Sequence, residues 1–203
     1  MILLMLIISI GLLCVTFTDM AVLCGNYGET CLYKYGTIPI KRSYCHEMAK
    51  RIALYSISSI AARYKKVIKP LISFNANFYI RLFLIVNDSP DDCKKNGLRY
   101  GYIHQCRQCQ NRSTTPISYI EDRGKKTGSY KFNNLSGENT CKICDGNMFL
   151  AGPFWISELH DKDFVDLVIK ELESEEFKYL KYNSRVHGFV SGMKDVSKLL
   201  LIN

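Results

Sequence analysis

The hydrophobic pattern of the chain begins with a long apolar run. Residues 1–17 contain no charge, which is typical of a buried strand, a signal peptide or a membrane anchor. No basic segment precedes the run, and about 17 apolar residues is the lower limit for a spanning helix. We therefore favour a turn at Gly11 followed by a buried core strand over residues 12–17, of the kind found in parallel sheets, and we expect no membrane association.

The next patterned segment, residues 43–66, has the period of an amphipathic helix. Lys50 and Arg51 lie off its apolar stripe, and Pro70 follows its end. Two apolar runs, residues 70–74 and 78–86, predict a hairpin. Arg81 is the one charge in the second run, so we expect it either to be paired or to emerge beside a ligand phosphate. The helical stripe consists of Ala49, Ile52, Ala53, Ser56, Ile60 and Tyr64.

The second half of the chain alternates polar and patterned segments. Residues 87–97 read as a boundary loop, residues 98–105 as a strand, and residues 111–139 as a polar loop of poor regularity. An amphipathic helix is predicted over residues 161–177, and a further helix is predicted by the apolar spacing from Val186 to Met193. The apolar face of the first of these helices comprises Phe164, Leu167, Val168 and Leu172.

Charge and cysteine content narrow the class of protein. The 203 residues carry a formal net charge of +8, which favours an anionic partner, with nucleic acid before a membrane surface. Nine cysteines are an odd number, and five of them show no disulfide framework spacing. This predicts a reducing compartment, nuclear or cytoplasmic, and a protein that is not secreted.

Four of the cysteines form two C-x-x-C pairs, Cys106-Arg-Gln-Cys109 and Cys141-Lys-Ile-Cys144. Two residues between the cysteines let both sulfurs of one tight turn reach a single ion. Four thiolates predict a closed, structural zinc site with no open position for a catalytic water. The alternatives are two disulfides or four buried thiols.

Further candidates come from charge and aromatic character. Asp19 follows the first strand, where it could contact a ligand or cap a helix. Trp155 and His160 could stack on a base, although Trp155 could equally be a core anchor and His160 the start of a helix. The residues predicted to contact RNA phosphates are Arg81, Lys94, Lys95, Arg107, Arg112, Lys125 and Lys126.

Several short motifs occur in a fixed order along the chain. Together with the doubled C-x-x-C, they resemble the tRNA (guanine(26)-N(2))-dimethyltransferase family in its eukaryotic, zinc-bearing form. The motifs are Cys14-Val-Thr-Phe-Thr-Asp-Met-Ala-Val-Leu-Cys-Gly25, Gly28-Glu-Thr-Cys31, Lys34-Tyr-Gly36, Cys45-His-Glu-Met48, Pro70-Leu-Ile-Ser73, Phe78-Tyr-Ile-Arg81, Gly152-Pro-Phe-Trp155 and Leu159-His-Asp161.

The resemblance implies an α/β fold and a division of the chain. Residues 1–90 would be the C-terminal portion of a Rossmann-like methyltransferase sheet, residues 98–156 a zinc-knuckle insert, and residues 157–203 the start of a smaller α-rich C-terminal domain. It also implies S-adenosylmethionine as methyl donor, tRNA as partner and the exocyclic N2 of guanine 26 as acceptor. No obligate protein partner is evident.

The sequence departs from the family in its catalytic motifs. It contains no Asp-Pro-aromatic-Gly, no glycine-rich strand-to-helix turn, and no acidic residue ending a second strand. We therefore expect an incomplete copy that is inactive alone, with no catalytic residue and with the S-adenosylmethionine site largely absent. The alternatives are a catalytically inactive RNA-binding zinc protein and, if residues 1–17 are an anchor, a membrane-anchored zinc protein.

Overall fold

The computed structural model of the chain describes residues 10–121, 129–135 and 139–196. These residues form an α/β protein, as predicted. The elements are β1 (Ile10–Phe17), α1 (Met20–Leu23), α2 (Gly28–Tyr35), α3 (Cys45–Arg63), β2 (Lys66–Ala76), β3 (Tyr79–Asp88), α4 (Pro90–Lys94), α5 (Asn96–Arg99), β4 (Tyr100–Cys106), β5 (Arg112–Pro116), β6 (Ser118–Glu121), β7 (Ser129–Phe132), β8 (Met148–Trp155), α6 (Lys162–Glu173) and α7 (Asn183–Val196).

The first sheet has the strand order β1-β3-β2. The predicted hairpin is present as β2 and β3, joined through Asn77, whose φ is +48°. Because β3 is antiparallel to both neighbours, β1 and β2 run parallel to each other. Helix α3 connects them, so it runs back from the carboxyl end of β1 to the start of β2.

The prediction that β1 is a buried strand is only partly right. The strand forms, but it lies at the edge of the sheet and pairs antiparallel with β3. Leu13 faces the core and is 5% exposed, whereas Ile10 and Leu12 are 75% and 64% exposed. Alternate residues of a strand point to opposite faces, and Ile10, Leu12 and Cys14 on the outer face of β1 are all exposed.

Helix α3 is buried on more than one side. Ala49, Ile52 and Ala53 of the predicted stripe are fully buried, but so is Leu54. Arg51, which lies off the predicted stripe, is also buried, at 6% exposed. The reason is that β8 packs on the helix opposite the first sheet.

The second sheet has the order β5-β4-β8 and is antiparallel throughout. The prediction of an irregular loop over residues 111–139 is wrong, since this stretch contains β5 and the two-stranded ribbon of β6 and β7. Polar strands on an exposed ribbon lack the apolar alternation that identifies a strand. The predicted loop over residues 87–97 contains α4 and α5, and the Ser89 hydroxyl caps α4 by accepting from the N–H of Asp92.

The two predicted C-terminal helices are present as α6 and α7. Asp161 caps α6, because its carboxylate accepts from the N–H of Phe164 at 2.8 Å. Of the predicted apolar face, Phe164, Val168 and Leu172 pack inward, whereas Leu167 is 52% exposed and Val165 is buried instead. The two helices share a second small core formed by Ile72, Val165, Val190 and Met193.

The apolar start of the chain extends beyond the described residues, since residues 1–9 lie outside them. Among the residues that are described, no helix is both long enough and apolar enough to cross a membrane. The apolar residues 199–202 at the end of the chain also lie outside the described part.

Candidate metal centre

The two C-x-x-C turns come together at the end of the second sheet. All four sulfur atoms lie within 4.8 Å of one another. The sulfurs of Cys106 and Cys144 are 3.5 Å apart, as are those of Cys109 and Cys141. Tetrahedral ligands at a Zn–S distance of ~2.3 Å have sulfurs about 3.8 Å apart, so the donor set fits a zinc ion.

The two turns share one backbone pattern. In each, the N–H of the first cysteine donates to the carbonyl five residues later, and the N–H two residues later donates to the sulfur of that cysteine. The residue after the second cysteine has a positive φ in both turns. The first bond joins Cys106 N–H to Asn111 O and Cys141 N–H to Gly146 O, each at 2.8 Å. The second joins Gln108 N–H to Cys106 Sγ at 3.3 Å and Ile143 N–H to Cys141 Sγ at 3.4 Å. The positive φ is +64° at Gln110 and +55° at Asp145.

The backbone hydrogen bonds to Cys106 and Cys141 lower the pKa of these two thiols and favour their thiolate form. The N–H of Ile143 donates to Cys141 and lowers the pKa of that thiol to about 6. Metal ligation requires the thiolate rather than the thiol. The candidate group of four contains neither a histidine nor a carboxylate, which is the chemistry of a closed structural site rather than a catalytic one.

Strand pairing holds the two turns against each other. Cys106 ends β4, and the N–H of Arg107 donates to the carbonyl of Asn147 in the second turn at 3.0 Å. Thr140 and Asn147 form a β-bridge. All nine cysteines are free thiols, so the structure does not take the disulfide alternative for the two pairs.

Of the residues predicted to contact RNA, two lie beside this centre. Arg107 is inside the first turn, and its guanidinium carbon lies 5.8 Å from the centroid of the Phe149 ring. Arg112 begins β5, and its guanidinium carbon lies 4.9 Å from the centroid of the Tyr44 ring. Lys125 and Lys126 lie outside the described residues.

The other predicted RNA contacts are dispersed. Arg81 lies near the start of β3, where it donates to Thr16 Oγ1 at 2.9 Å. Lys94 ends α4 and Lys95 follows it, and they form ion pairs with Asp91 and Asp92, respectively. The length of β3 separates Arg81 from Lys94 and Lys95 by about 23 Å. The residues predicted to contact RNA therefore do not form one group in the structure.

Trp155 and His160 are core residues rather than base-stacking platforms. They are 2% and 5% exposed. The indole N–H of Trp155 donates to the carbonyl of Glu158, and Nδ1 of His160 accepts from the N–H of Ser73 at 3.2 Å. Burial, reinforced by two neighbouring cationic side chains, lowers the pKa of His160 to about 4, which keeps the ring neutral at pH 7.

Asp19 lies directly after the carboxyl end of β1, as the sequence suggested. Its carboxylate pairs with Lys34 Nζ at 2.9 Å and accepts from the Tyr35 hydroxyl at 3.5 Å. It occupies the N-cap position of α1 without a capping hydrogen bond from its side chain. Neither the ligand-contact nor the capping interpretation anticipated this pairing with α2.

Sequence reasoning missed Arg42, Tyr44 and Gln105. The hydroxyl of Tyr44 donates to Gln105 Oε1, and Arg42 lies 5.9 Å from the centroid of the Phe149 ring. Residues far apart in sequence meet here through strand register, which hydropathy does not reveal. A signal was present in the basic residues immediately before the predicted helix start, Lys41 and Arg42.

Comparison with known proteins gives a consistent result. The family described as N2,N2-dimethylguanosine tRNA methyltransferase matches residues 4–200. A tRNA (guanine(26)-N(2))-dimethyltransferase 2 of Arabidopsis thaliana is 37% identical over 85% of this chain and 29% of its own length. A tRNA (guanine(26)-N(2))-dimethyltransferase of Drosophila melanogaster is 35% identical over 91% of this chain and 33% of its own length. The chain thus spans about a third of these curated relatives.

The fold is shared with a solved structure. It is a complex of Trm1 from Pyrococcus horikoshii with S-adenosyl-L-methionine, which superposes with a TM-score of 0.69 at 24% identity. The likeness covers 91% of this chain and 42% of that protein.

Proposed function

Since the chain belongs to the N2,N2-dimethylguanosine tRNA methyltransferase family, we propose that it is the part of a tRNA (guanine(26)-N(2))-dimethyltransferase that carries a structural zinc centre. The observation that carries this proposal is the family match over residues 4–200, which includes both C-x-x-C pairs. The reaction would place two methyl groups on the exocyclic N2 of guanine 26 in tRNA. The free thiols of the chain support a nuclear or cytoplasmic reducing compartment.

The zinc centre would consist of Cys106, Cys109, Cys141 and Cys144. Its support is the clustering of four sulfurs within 4.8 Å and the repeated hydrogen-bond pattern of the two turns. A zinc ion bound there would supply structural stability and no reactive chemistry, because four thiolates complete its coordination.

The proposed division of the chain follows the two sheets. Residues 1–90 would belong to the methyltransferase domain, residues 98–156 to the zinc insert, and residues 157–203 to a C-terminal helical domain. Ligands of open α/β sheets bind beyond the carboxyl ends of parallel strands, which here are the ends of β1 and β2. Asp19 and Arg81 lie near those ends.

Methyl transfer to N2 needs help, because the lone pair of the amine is delocalised into the purine ring. An enzyme provides it by holding the base out of its stack and aligning the methyl group with the amine. S-adenosylmethionine, when bound, supplies that methyl group on a sulfonium. The chain contains no Asp-Pro-aromatic-Gly, so we assign no catalytic residue in it and expect no transfer by the chain alone.

A chimaera tests this function. The 203-residue chain replaces the matching segment of the Drosophila melanogaster relative, and tRNA nucleosides are analysed by mass spectrometry after reaction with S-adenosylmethionine. We expect N2,N2-dimethylguanosine at position 26, no product when guanine 26 is replaced by adenine, and no product from the chain alone. A folded, zinc-loaded chimaera without product would contradict the proposal.

The second candidate is an RNA-binding zinc protein without catalysis, favoured by the missing Asp-Pro-aromatic-Gly motif. It predicts salt-dependent tRNA binding by the chain together with an inactive chimaera. Dimethylation by the chimaera would exclude it.

A further inference from the structure

Three arginines from separate parts of the chain gather beside the cysteine centre, and we call them the arginine cluster. Arg42 precedes α3, Arg107 lies within the first cysteine turn, and Arg112 begins β5. Arg42 and Arg107 share the ring of Phe149, while Arg112 lies over Tyr44. Aromatic faces position guanidinium groups but leave their positive charge in place.

The geometry of the cluster is set by strand register. Arg112 on β5 and Phe149 on β8 both lie directly opposite Gln105 on the central strand β4. Directly opposed residues share one face of a sheet, so the three form a row across it. Tyr44 donates its hydroxyl hydrogen to Gln105, which joins the segment before α3 to this row.

The arginines of the cluster have unused hydrogen-bond donors and, among the described residues, no carboxylate partner. Within residues 10–121, 129–135 and 139–196, no carboxylate forms an ion pair with any of the three arginines. Nε of Arg42, Nε of Arg112 and Nε2 of Gln105 are buried and have no hydrogen-bond partner. Gln105 is itself fully buried. Like charges brought together with unused donors match the needs of an anion.

The position of the cluster relates it to the first sheet. Because β1 and β2 are parallel and α3 runs back between them, the residues just before α3 lie toward the carboxyl ends of these strands. Arg42 and Tyr44 are in that segment. Ligands of open α/β sheets bind at this edge.

We propose that Arg42, Arg107 and Arg112 form a binding site for backbone phosphates of RNA, positioned by the metal centre through Arg107. The inference rests on the proposed function, which makes RNA the anionic partner. Guanidinium groups match phosphate oxygens with paired N–H donors, and phosphate contacts set the position of a nucleic acid on a protein. Arg107 lies between two of the four cysteines, so a zinc ion bound there would hold one of the three arginines in position.

Binding of the zinc-loaded chain to a tRNA transcript, measured across a range of KCl concentrations, tests the site. Each lost phosphate contact lowers the slope of log Kd against log salt by about 0.7–0.9. We expect each single Arg→Gln variant to lose about one unit of slope, and the triple variant R42Q/R107Q/R112Q about two to three units, with affinity reduced about tenfold or more. Arg63→Gln, an exposed arginine at the far end of α3, is the matched control and should bind as the unmodified chain does.

Removal of zinc tests whether the metal centre positions Arg107. Chelation of zinc should weaken tRNA binding by the unmodified chain and have much less effect on the triple variant, because the contacts are already gone. Equal effects of chelation on both would overturn the positioning by the metal centre. If the triple variant loses zinc or fails to fold, Arg42→Gln decides alone, since Arg42 lies outside the second sheet and its turns.

The remaining outcomes separate this site from the proposed function. If the unmodified chain binds tRNA and the arginine variants bind equally well with the same salt slope, this site is overturned and the proposed function stands. If the unmodified chain binds no tRNA, this site is overturned, and the product of the chimaera alone decides the proposed function. Binding of phosphatidylserine vesicles through these arginines, with no tRNA binding, would overturn the RNA assignment in favour of a membrane surface.

Discussion

Two regions of the molecule are stabilised by different interactions. The first region is the sheet of β1, β2 and β3 with α3. The second, which we call the lobe, is the sheet of β4, β5 and β8 with its two cysteine turns. The first region supplies most of the fully buried aliphatic side chains, among them Leu54, Leu82 and Leu84. The second buries Gln105 and His104 alongside its apolar residues and gathers four cysteines at one end. Burial of apolar area is sufficient for the sheet. The lobe has fewer such contacts, and we infer that a metal replaces them.

The largest expected effect in this comparison is that of metal removal. Structural zinc in zinc-finger peptides contributes on the order of 10–16 kcal/mol, which is folding free energy. Cys141→Ser should therefore abolish zinc binding and remove hydrogen-exchange protection from β4, β5 and the two turns, while β2 and β3 keep theirs. Cys93→Ser, at a half-buried cysteine outside the centre, is the control. Protection of the lobe that survives Cys141→Ser would show that the metal does not hold it.

The link between the two regions should give the next largest effect. Arg51 on α3 pairs with Glu47 and donates to the carbonyls of Trp155 and Ser157, at 2.9 and 3.0 Å. Arg51→Ala leaves a buried carboxylate and two carbonyls without their partner, so we expect a loss of about 3–5 kcal/mol in the free energy of unfolding.

Urea unfolding measures this change, and Arg63→Ala on the exposed end of the same helix should stay within about 0.5 kcal/mol of the unmodified chain. We further expect the two regions of the Arg51 variant to unfold in separate transitions. A single transition with unchanged midpoint would mean that this contact does not join them.

A substitution inside the first sheet should leave the second region intact. Leu84 on β3 is fully buried, so Leu84→Ala should cost about 2–5 kcal/mol through lost burial and a cavity. Zinc content and turn protection should not change. Leu12→Ala on the exposed face of β1 should have little effect, and equal losses from both variants would contradict the edge position of β1.

The smallest expected effect is on the pH dependence of stability. Burial holds the pKa of His160 at about 4, below its ordinary value of 6.5. The neutral ring is thus favoured in the folded state, so this contribution is present above pH 6.5 and is lost as the pH falls toward 4. At about 1.4 kcal/mol per pH unit, the loss is at most on the order of 3 kcal/mol.

His160→Asn keeps an acceptor for the N–H of Ser73 and removes the titration. Urea unfolding between pH 7 and pH 4 should show a smaller decline for this variant than for the unmodified chain. His187→Asn, on the more accessible α7, is the control. Protonation of the thiolates weakens zinc binding equally in the unmodified chain and the variants. The difference in the free energy of unfolding at each pH therefore does not contain this effect. Parallel curves for His160→Asn and the unmodified chain would refute the assignment.

The sequence predicted the elements whose pattern is local. The period of α3, the β2–β3 hairpin and the spacing of the two cysteine pairs all depend on neighbours within a few residues, and all three appear in the structure. The capping of α6 at Asp161 belongs to the same class, although there the sequence indicated only a helix boundary.

What could not be predicted depends on which elements pack together. Arg51 looks like a solvated cation until β8 covers the second side of α3. The polar strands β5 to β7 are stabilised by hydrogen bonds to neighbouring strands, and the hydropathy pattern of the sequence does not show these bonds. The row of Arg112, Gln105 and Phe149 exists only through register, so composition could suggest basic residues for RNA but not which of them meet.

X-ray absorption at the zinc edge tests the central claim most directly, that the second region is organised by one zinc ion on four cysteines. We expect one zinc per chain, surrounded by four sulfur atoms at about 2.3 Å, and loss of that signal in Cys141→Ser. Nitrogen or oxygen ligands in the first coordination shell, or a folded lobe without zinc, would contradict the account.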